Sequence, residues 1–289
     1  MRVKSYLSAN PVCSMSFRYY VLLMTCCVWQ FAIGQQELKN IFEQRPLTPN
    51  LTWGYPAKDS LYGAPQYAQY LKFGQDEYRF NIAWKNDTLV RTSDLAREQE
   101  STAAINGGFF DMKAGGSVTY LRADGLTINE TGASLVEQKN EILEGAVVID
   151  KQGRLKIRKG NRIQRKKRYE DVLVTGPLLL YRDKIEPLID RAFNKDRHPR
   201  SCLCTDDQQN VYFITVDGRH DRAAGMSLYE LTRLVRDLGC TNAINLDGGG
   251  STTLYIRNQG VINHPSDNRQ FDAEGERPCA NAILAIRRG

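Results

Sequence analysis

Histidine is scarce in this chain of 289 residues and occurs only at His198, His220 and His264. Cysteine occurs seven times, and three of these residues lie within the first 27 positions. The other four lack the pair of chelating turns that a zinc site needs, so a zinc protein is disfavoured. Internal repeats and low-complexity tracts are also absent, which argues against a repeat architecture. What is left is an ordinary globular composition, able to bury one large core.

The N-terminal apolar segment, residues 19–33, is too short for a confident membrane span. Basic residues precede it and a small-residue cleavage pattern ends at Gly34, so residues 1–34 are predicted to be an export signal. Lipid attachment at Cys26 is the less favoured alternative, because apolar residues continue beyond that cysteine. We therefore expect a periplasmic or extracellular protein with no stable membrane span after cleavage.

The charge balance predicts no nucleic-acid partner. Removal of the signal lowers the formal net charge from +6 to +3, because residues 1–34 contain three basic and no acidic residues. The segment 154–168 carries nine Lys or Arg residues, but it lacks the aromatic residues that would stack on bases. A solvated hairpin and loop is the favoured interpretation of this run, and contact with an anionic glycan or lipid surface is the alternative.

Strand patterns dominate from Tyr78 onward, where short alternating runs of β-branched and aromatic residues are separated by polar turns. Predicted strands are 78–84, 103–105, 117–121, 145–149, 155–158, 171–174, 178–181, 201–205, 211–216, 243–246 and 280–286. Helices are predicted only at 94–100 and 227–238. The pattern favours an α+β fold with a single domain, built on a largely antiparallel or mixed β-sheet with few helices.

The stretch 211–255 is the centre of the sequence. A strand ends before Asp217, and a helix follows in which Ser227 and Glu230 have capping-box spacing. A short apolar run then leads to Asp247 and three consecutive glycines, where backbone N–H groups can approach an anionic ligand closely. The stretch therefore predicts a polar site at the ends of two strands.

Seven segments, in this order and spacing, resemble the phosphodiester glycosidase family over roughly residues 80–289. They are Asn106-Gly107-Gly108-Phe109-Phe110, Thr175-Gly176-Pro177, Pro199-Arg200-Ser201, Val216-Asp217-Gly218-Arg219, Gly225-Met226-Ser227 with Glu230-Leu231, Asn245-Leu246-Asp247-Gly248-Gly249-Gly250-Ser251, and Arg277 with Ala280-Asn281-Ala282. The resemblance implies a hydrolase that cuts the glycosidic bond of sugar 1-phosphodiesters of the N-acetylglucosamine-1-phosphodiester type. Free sugar and a phosphomonoester would be released. It assigns residues 76–289 to the catalytic domain and leaves 35–75 as an N-terminal lead-in segment.

Three carboxylates are the candidate catalytic residues: Asp247, Asp217 and Glu230. Glycoside hydrolysis commonly uses two carboxylates, but a phosphate leaving group departs as a stable anion, so one can suffice. Asp247 is assigned as base or nucleophile, with Asp217 or Glu230 orienting water or hydroxyls. For Glu230, the role of capping partner to Ser227 is the favoured alternative.

Sugar and phosphate contacts are expected from the remaining motif residues. The arginines suit phosphate because their planar guanidinium groups bind it through paired hydrogen bonds. The predicted substrate-binding residues are Asn106, Gly107, Gly108, Thr175, Gly176, Arg200, Arg219, Gly248, Gly249, Gly250, Ser251, Arg277 and Asn281. No cofactor is required by the sequence, although Asp217 or Asp247 could ligate a divalent cation.

Two rival functions and two cysteine states stay open. The rivals are a metal-assisted phosphodiesterase that cuts the phosphorus–oxygen bond, and a non-catalytic glycan-binding protein of the cell envelope. Because an exported chain can form disulfides, Cys202 and Cys204 are expected either as free buried thiols or with one bridge to Cys240 or Cys279. A bond between Cys202 and Cys204 themselves would strain the backbone.

Overall fold

The computed structural model describes residues 41–85, 88–130, 143–160 and 168–289. The predicted export signal lies outside these residues. Their strands are β1 (Phe42–Thr48), β2 (Leu51–Pro56), β3 (Ser60–Leu61), β4 (Ala64–Pro65), β5 (Ala68–Phe73), β6 (Tyr78–Trp84), β7 (Ala103–Asn106), β8 (Leu121–Ala123), β9 (Leu126–Asn129), β10 (Gly145–Asp150), β11 (Leu155–Lys159), β12 (Tyr169–Thr175), β13 (Leu178–Tyr181), β14 (Lys184–Ile185), β15 (Arg200–Asp206), β16 (Val211–Val216), β17 (Cys240–Asn245), β18 (Leu254–Ile256), β19 (Gly260–Val261) and β20 (Asn281–Arg287). The α-helices are α1 (Thr92–Glu98), α2 (Ala192–Lys195) and α3 (Leu228–Asp237).

Three large sheets carry the fold. The first has eight strands in the order β1-β2-β5-β16-β15-β17-β13-β14, the second five in the order β11-β10-β12-β8-β9, and the third five in the order β19-β18-β7-β20-β6. Every strand pairing among the described residues is antiparallel. The prediction of a largely antiparallel fold with few helices is confirmed.

The main core lies where inward faces of the three sheets meet. Phe73 and Phe213 from the eight-stranded sheet contact Phe80 from the third sheet through tilted and edge-on rings. Val147 and Leu173 join this cluster from the second sheet. Large side chains from three sheets thus fill one interior, and burial of such aromatic rings is a leading contribution to stability.

Residues before the predicted domain boundary take part in the eight-stranded sheet. β5 pairs with β16 in continuous register from Val211 opposite Phe73 to Val216 opposite Ala68. The division of the chain at residues 75 and 76 stays a prediction, but β5 lies between β2 and β16 rather than on the outside of the sheet.

Strand prediction failed at 117–121. β8 begins only at Leu121, and Ser117 forms just an isolated bridge with Phe110. The Ser117 hydroxyl donates to the carbonyl of Thr119 at 3.0 Å. Short polar side chains that bond nearby backbone in this way compete with regular strand pairing.

The helix α3 follows its sequence signals closely. Ser227 is the N-cap, and its hydroxyl accepts from the N–H of Glu230 while the Glu230 carboxylate accepts from the N–H of Ser227. A disulfide joins Cys204 of β15 to Cys240 of β17, with 5.9 Å between the Cα atoms, and Cys202 and Cys279 are free and buried. Of the states that the sequence left open, the structure contains a single bridge to Cys240.

Candidate active site

One end of the molecule collects strand ends from all three large sheets. In the first sheet, β16 ends one residue before Asp217 and β17 ends two residues before Asp247. The start of β15 lies between these two ends, because its antiparallel register places Arg200 opposite Val216. The end of β7 and the start of β20 arrive from the third sheet, and the end of β12 arrives from the second. Six strand ends from separated parts of the sequence therefore meet here.

Asn106, at the end of β7, holds two sheets together. Its side-chain N–H donates to the Asp247 carbonyl at 2.7 Å, and its side-chain oxygen accepts from the Ser201 hydroxyl at 2.6 Å and the Thr253 N–H at 3.2 Å. The residue is fully buried. With both ends of its amide engaged, Asn106 positions the loop of Asp247 rather than offering a free group to a sugar.

Asn281, at the start of β20, holds the glycine pair beside it. Gly107 donates to the Asn281 backbone carbonyl at 3.0 Å, and Gly108 donates to its side-chain oxygen at 2.8 Å. A Cβ at Gly107 would collide with that side-chain oxygen, so the contact requires glycine. The Asn281 side-chain nitrogen is buried and has no hydrogen-bond partner among the described residues. It is a donor left for water or ligand.

The three glycines after Asp247 allow two close approaches. A Cβ at Gly248 would lie 2.6 Å from the Pro199 carbonyl oxygen, and Gly249 has φ of +63°, in the left-handed region. The guanidinium of Arg219 lies over this turn, with Nη2 3.0 Å from the position of a Cβ at Gly249. Any side chain at position 249 would push Arg219 away from the turn.

The two arginines at this turn differ in their partners. Arg277 packs against Gly250, with Nη2 2.5 Å from a Cβ position there, and its Nε donates to Asp267 at 3.0 Å. Arg219 is exposed, and no carboxylate forms an ion pair with it in the part of the chain that the structure describes. Arg219 therefore presents the less committed guanidinium to an anion.

The Asp247 carboxyl lies among opposing electrostatic influences. Burial raises its pKa above the usual aspartate range, and this effect prevails. The Ser251 hydroxyl, the Gly248 N–H and the charges of Arg277 and Arg219 act in the other direction. A carboxylate whose pKa is raised above its usual range is a better proton acceptor, provided that it can reach water or substrate.

Asp217 has a different environment, in which protein donors occupy both of its oxygens. Oδ1 accepts from the Asn263 side chain at 3.0 Å, and Oδ2 accepts from the His264 backbone N–H at 2.9 Å. The ring Nδ1 of His264 lies 2.7 Å from the same Oδ2. Burial raises the Asp217 pKa, and the His264 and Asn263 bonds oppose the rise. Because an ionised carboxylate only accepts, this contact places the proton on Nδ1 and leaves Nε2 for other partners.

Aromatic rings hold His264 in place. Its ring stacks on Phe271 with centroids 3.8 Å apart and an interplanar angle of 13°, and the edge of Tyr67 meets it at 4.6 Å. Arg222 lies over the Phe271 ring at 4.4 Å. The His264 side chain is 22% exposed, so one edge of the oriented imidazole faces the surface.

Thr175 and Gly176 support the strand that carries Asp247. The Thr175 hydroxyl donates to the Asn245 carbonyl at 3.2 Å, and the Gly176 carbonyl accepts from the Asn245 side chain at 3.0 Å. The Gly176–Pro177 peptide is cis. The Thr175 hydroxyl and the Gly176 carbonyl belong to predicted substrate-binding residues, but both bond to Asn245.

Two other predicted site residues are committed to structure. The Arg200 guanidinium is buried and donates to the carbonyls of Met226, Phe193 and Asp196. Glu230 completes the capping box of α3 and forms an ion pair with Arg197. Because three carbonyls accept from the Arg200 guanidinium, little of it is left to bind a phosphate. The contacts of Glu230 match the favoured alternative from the sequence, which is a capping role.

His198 and His264 reach this end of the molecule without any sequence motif that marks them. His198 pairs through its backbone with Met226 in front of α3. Burial lowers the pKa of its ring, and the positive charges of Arg200 and Arg219 lower it further. His264 lies 47 residues from its partner Asp217.

The described residues contain no group of three or more His, Cys, Asp and Glu side chains arranged to hold a metal ion. Within the same residues, no helix has the length and apolar character needed to cross a membrane.

Comparison with known families adds an independent line of evidence. The sequence model of a family described as phosphodiester glycosidase matches residues 99–286. This segment includes every motif quoted above, from Asn106 to Asn281.

Three curated proteins are similar to parts of the chain. A prophage-derived uncharacterized protein of Bacillus subtilis is 38% identical over 71 residues, which is 25% of this chain and 11% of that protein. The N-acetylglucosamine-1-phosphodiester alpha-N-acetylglucosaminidases of Bos taurus and Mus musculus are each 23% identical, over 202 and 192 residues. These matches cover 61% and 58% of this chain, but only 35% and 34% of the two enzymes. The chain thus spans about a third of the length of these relatives.

Solved structures share the fold. The catalytic domain of the zebrafish N-acetylglucosamine-1-phosphodiester alpha-N-acetylglucosaminidase, auto-inhibited by its pro-peptide, matches with a TM-score of 0.66 at 18% identity, over 86% of this chain and 89% of that one. A hypothetical protein from Synechocystis matches with a TM-score of 0.59 at 16% identity, over 86% of this chain and 64% of that one.

Proposed function

Because the chain belongs to the phosphodiester glycosidase family, we propose that it hydrolyses the glycosidic bond of sugar 1-phosphodiesters of the N-acetylglucosamine-1-phosphodiester type. Water would add to the anomeric carbon, the bond from that carbon to the phosphate oxygen would break, and the products would be free sugar and a phosphomonoester. One observation carries the proposal: the Asp247 carboxyl lies at a glycine turn beside two arginines.

Asp247 is the proposed base or nucleophile. Its raised pKa suits a group that takes a proton from water, and the loop that carries it is held by Asn106 and Gly107. A rigidly held group at the reaction centre lowers the cost of orientation in the transition state.

Arg219 is the proposed phosphate ligand, together with the N–H groups of the glycine turn. Charge grows on the phosphate as the glycosidic bond breaks, and donors that are already in place stabilise it. Arg277 contributes through its charge, although Asp267 shares its guanidinium.

Asp217 is proposed to act through His264 instead of touching the substrate. The carboxylate orients the ring and leaves Nε2 to hydrogen-bond water or a sugar hydroxyl. Export to an oxidising compartment fits the Cys204–Cys240 disulfide and stays part of the proposal. A divalent cation held by Asp217 or Asp247 also stays a proposal, which a chelator tests.

The test follows both products and oxygen atoms. The purified protein is incubated with UDP-GlcNAc and a panel of sugar 1-phosphodiesters in ¹⁸O-water, with and without a chelator. Label in the sugar supports the proposal, and label in the phosphate would favour the rival that cuts the phosphorus–oxygen bond. The variant Asp247→Asn should release no sugar. Asp171→Asn is a matched control, because Asp171 is also buried but accepts from the N–H groups of Ile82 and Asp124, at the far end of β12 from Thr175.

A further inference from the structure

The face of the second sheet that points away from the main core carries positive charge beside a small, buried apolar cluster. Ala146, Val148, Val172 and Val174 form that cluster together with Tyr169. In an antiparallel pair, residues directly opposite each other point to the same face. Arg158 lies opposite Ala146, and the register therefore places its side chain on this face.

Two arginines meet at Tyr169. Nη2 of Arg168 donates to the Tyr169 hydroxyl at 2.7 Å, and the Arg168 guanidinium lies over the tyrosine ring at 4.8 Å. Burial raises the Tyr169 pKa, but hydrogen bonds and charges from Arg168 and Arg158 outweigh burial and bring the pKa below its usual value. A phenol whose pKa falls despite burial reports a strongly positive surrounding.

A third arginine approaches from the other side of the face. Arg122 of β8 lies opposite Val172, so its side chain lies on the same face. Its Nε and Nη1 atoms are buried and have no hydrogen-bond partner in the part of the chain that the structure describes. Three strand spacings separate β8 from β11, about 14 Å, and two extended arginine side chains can cover that distance from opposite sides.

The three arginines, Arg122, Arg158 and Arg168, lack carboxylate partners in the described part of the chain. A buried guanidinium nitrogen without an acceptor is costly, because the desolvation of a charged donor is not repaid. We propose that this arginine face binds a phosphate-type oxyanion at a site separate from Asp247. The buried Nη1 of Arg122 would donate to it, and the guanidinium groups of Arg158 and Arg168 would add positive charge.

The site accounts for part of the basic run at 154–168. Arg158 and Arg168 belong to that run, whereas Arg122 comes from a distant strand, so the fold completes a cluster that the sequence alone does not contain. Phe109, which follows the glycine pair of the active site, packs against the same apolar cluster. The two sites therefore lie on a connected part of the molecule.

Thermal unfolding in two buffers tests the proposal. The melting temperature is measured in sodium chloride and in sodium phosphate at equal ionic strength, so that general screening of charge is the same. All variants carry Arg219→Gln, which removes the proposed phosphate ligand of the active site. In this background we expect phosphate to raise the melting temperature by on the order of 3 °C.

Arg122→Gln should abolish this shift, and it should not lower the melting temperature in chloride, because it removes an unpaired buried charge. The matched control is Arg154→Gln, which removes an exposed charge from the same hairpin and should keep the shift. A shift that survives Arg122→Gln overturns the proposal. So does an equal loss of stability in both buffers, since a purely structural arginine would behave in that way.

A second measurement identifies the source of the phosphate and rests on the proposed function. KM is compared for substrates with one and with two sugar phosphodiester groups. If the site holds a second phosphate of the substrate, Arg122→Gln raises KM several-fold for the longer substrate alone. If the site holds free phosphate, KM is unchanged for both. Absence of turnover would count against the proposed function and would leave the thermal result intact.

Discussion

Asp217 and Asp247 follow two strands that flank β15, and each precedes a glycine after a buried apolar run. Burial raises the pKa of both carboxyls. Their partners differ, however. Protein donors occupy both oxygens of Asp217, whereas the pKa of Asp247 is influenced by the Ser251 hydroxyl, the Gly248 N–H and the charges of Arg277 and Arg219.

These different partners suit the two aspartates to different roles. A buried carboxylate whose two oxygens both accept from protein donors is less available to water or substrate, and we propose that the influence of Asp217 passes through His264. The guanidinium groups and glycines beside Asp247 can attract an anionic ligand, which would place that ligand next to the Asp247 carboxylate. Similar sequence surroundings thus lead to a proposed positioning role for Asp217 and a proposed catalytic role for Asp247.

The largest expected effect comes from substituting the two aspartates one at a time. Asp247→Asn should lower kcat by roughly 10³-fold or more with little change in KM, because it removes the proton acceptor or nucleophile. Asp217→Asn should cost only about 10- to 100-fold, since its amide would misorient His264 without removing the ring. Steady-state kinetics of both variants check this. Equal losses in the two variants would show that the aspartates do not have separate roles.

The two arginines are expected to differ in turnover. Arg219→Gln should reduce kcat/KM by about 10²-fold, as the loss of a preorganised donor to a growing anion does. Arg277→Gln should cost less, because Asp267 already takes part of that guanidinium. The comparison uses kcat/KM with a single sugar 1-phosphodiester. A larger loss from Arg277→Gln would reverse the assignment of the phosphate ligand.

The acid limb of the pH profile should respond more to Arg277→Gln than to Arg219→Gln, which is the reverse of the order expected for the loss of kcat/KM. Asp247 must be ionised to act, so activity is present above its raised pKa and is lost as the pH falls through it. Both arginines lower this pKa, Arg277 more than Arg219, so either substitution moves the limb to higher pH and Arg277→Gln moves it further. The measurement is kcat/KM against pH for the three proteins. An unmoved limb in both variants would mean that another group controls it.

The smallest effect belongs to Glu230. Glu230→Gln should cost about 1 kcal/mol of unfolding free energy through a weaker capping box, with kcat unchanged. Burial raises the Glu230 pKa, but bonds from Arg197 and Ser227 outweigh it and leave the pKa lowered. The stabilisation is therefore present above the ordinary glutamate pKa and disappears as the pH falls through the lowered value. Urea unfolding at two pH values measures it, and a large loss of turnover would restore Glu230 to the site.

Local patterns were sufficient for much of the fold. β6, β13 and β16 occupy the ranges that their alternating residues predict, and α3 begins after its predicted cap. The error at 117–121 arose because serine and threonine have strand-compatible side chains that can also bond their own backbone. The pairing of β5 with β16 joins residues about 140 positions apart, and no local signal encodes such a contact.

The site was predictable in position but not in the roles of its residues. Glycine runs after apolar strands mark the end of the sheet where Asp217 and Asp247 lie. Arg200 carries the same charge as Arg219, and only the three-dimensional structure reveals that carbonyls surround one and that the other is exposed. The partnership of Asp217 with His264 depends on a loop that closes 47 residues away.

β20 gives the molecule an order of assembly. It lies between β6 and β7, and its first residue, Asn281, fixes the glycine pair beside the loop of Asp247. During synthesis, β6 and β7 emerge long before the strand that separates them. The end of the molecule that carries Asp247 can thus be completed only after β20 has left the ribosome, so we expect the nascent chain to lack the proposed activity until then.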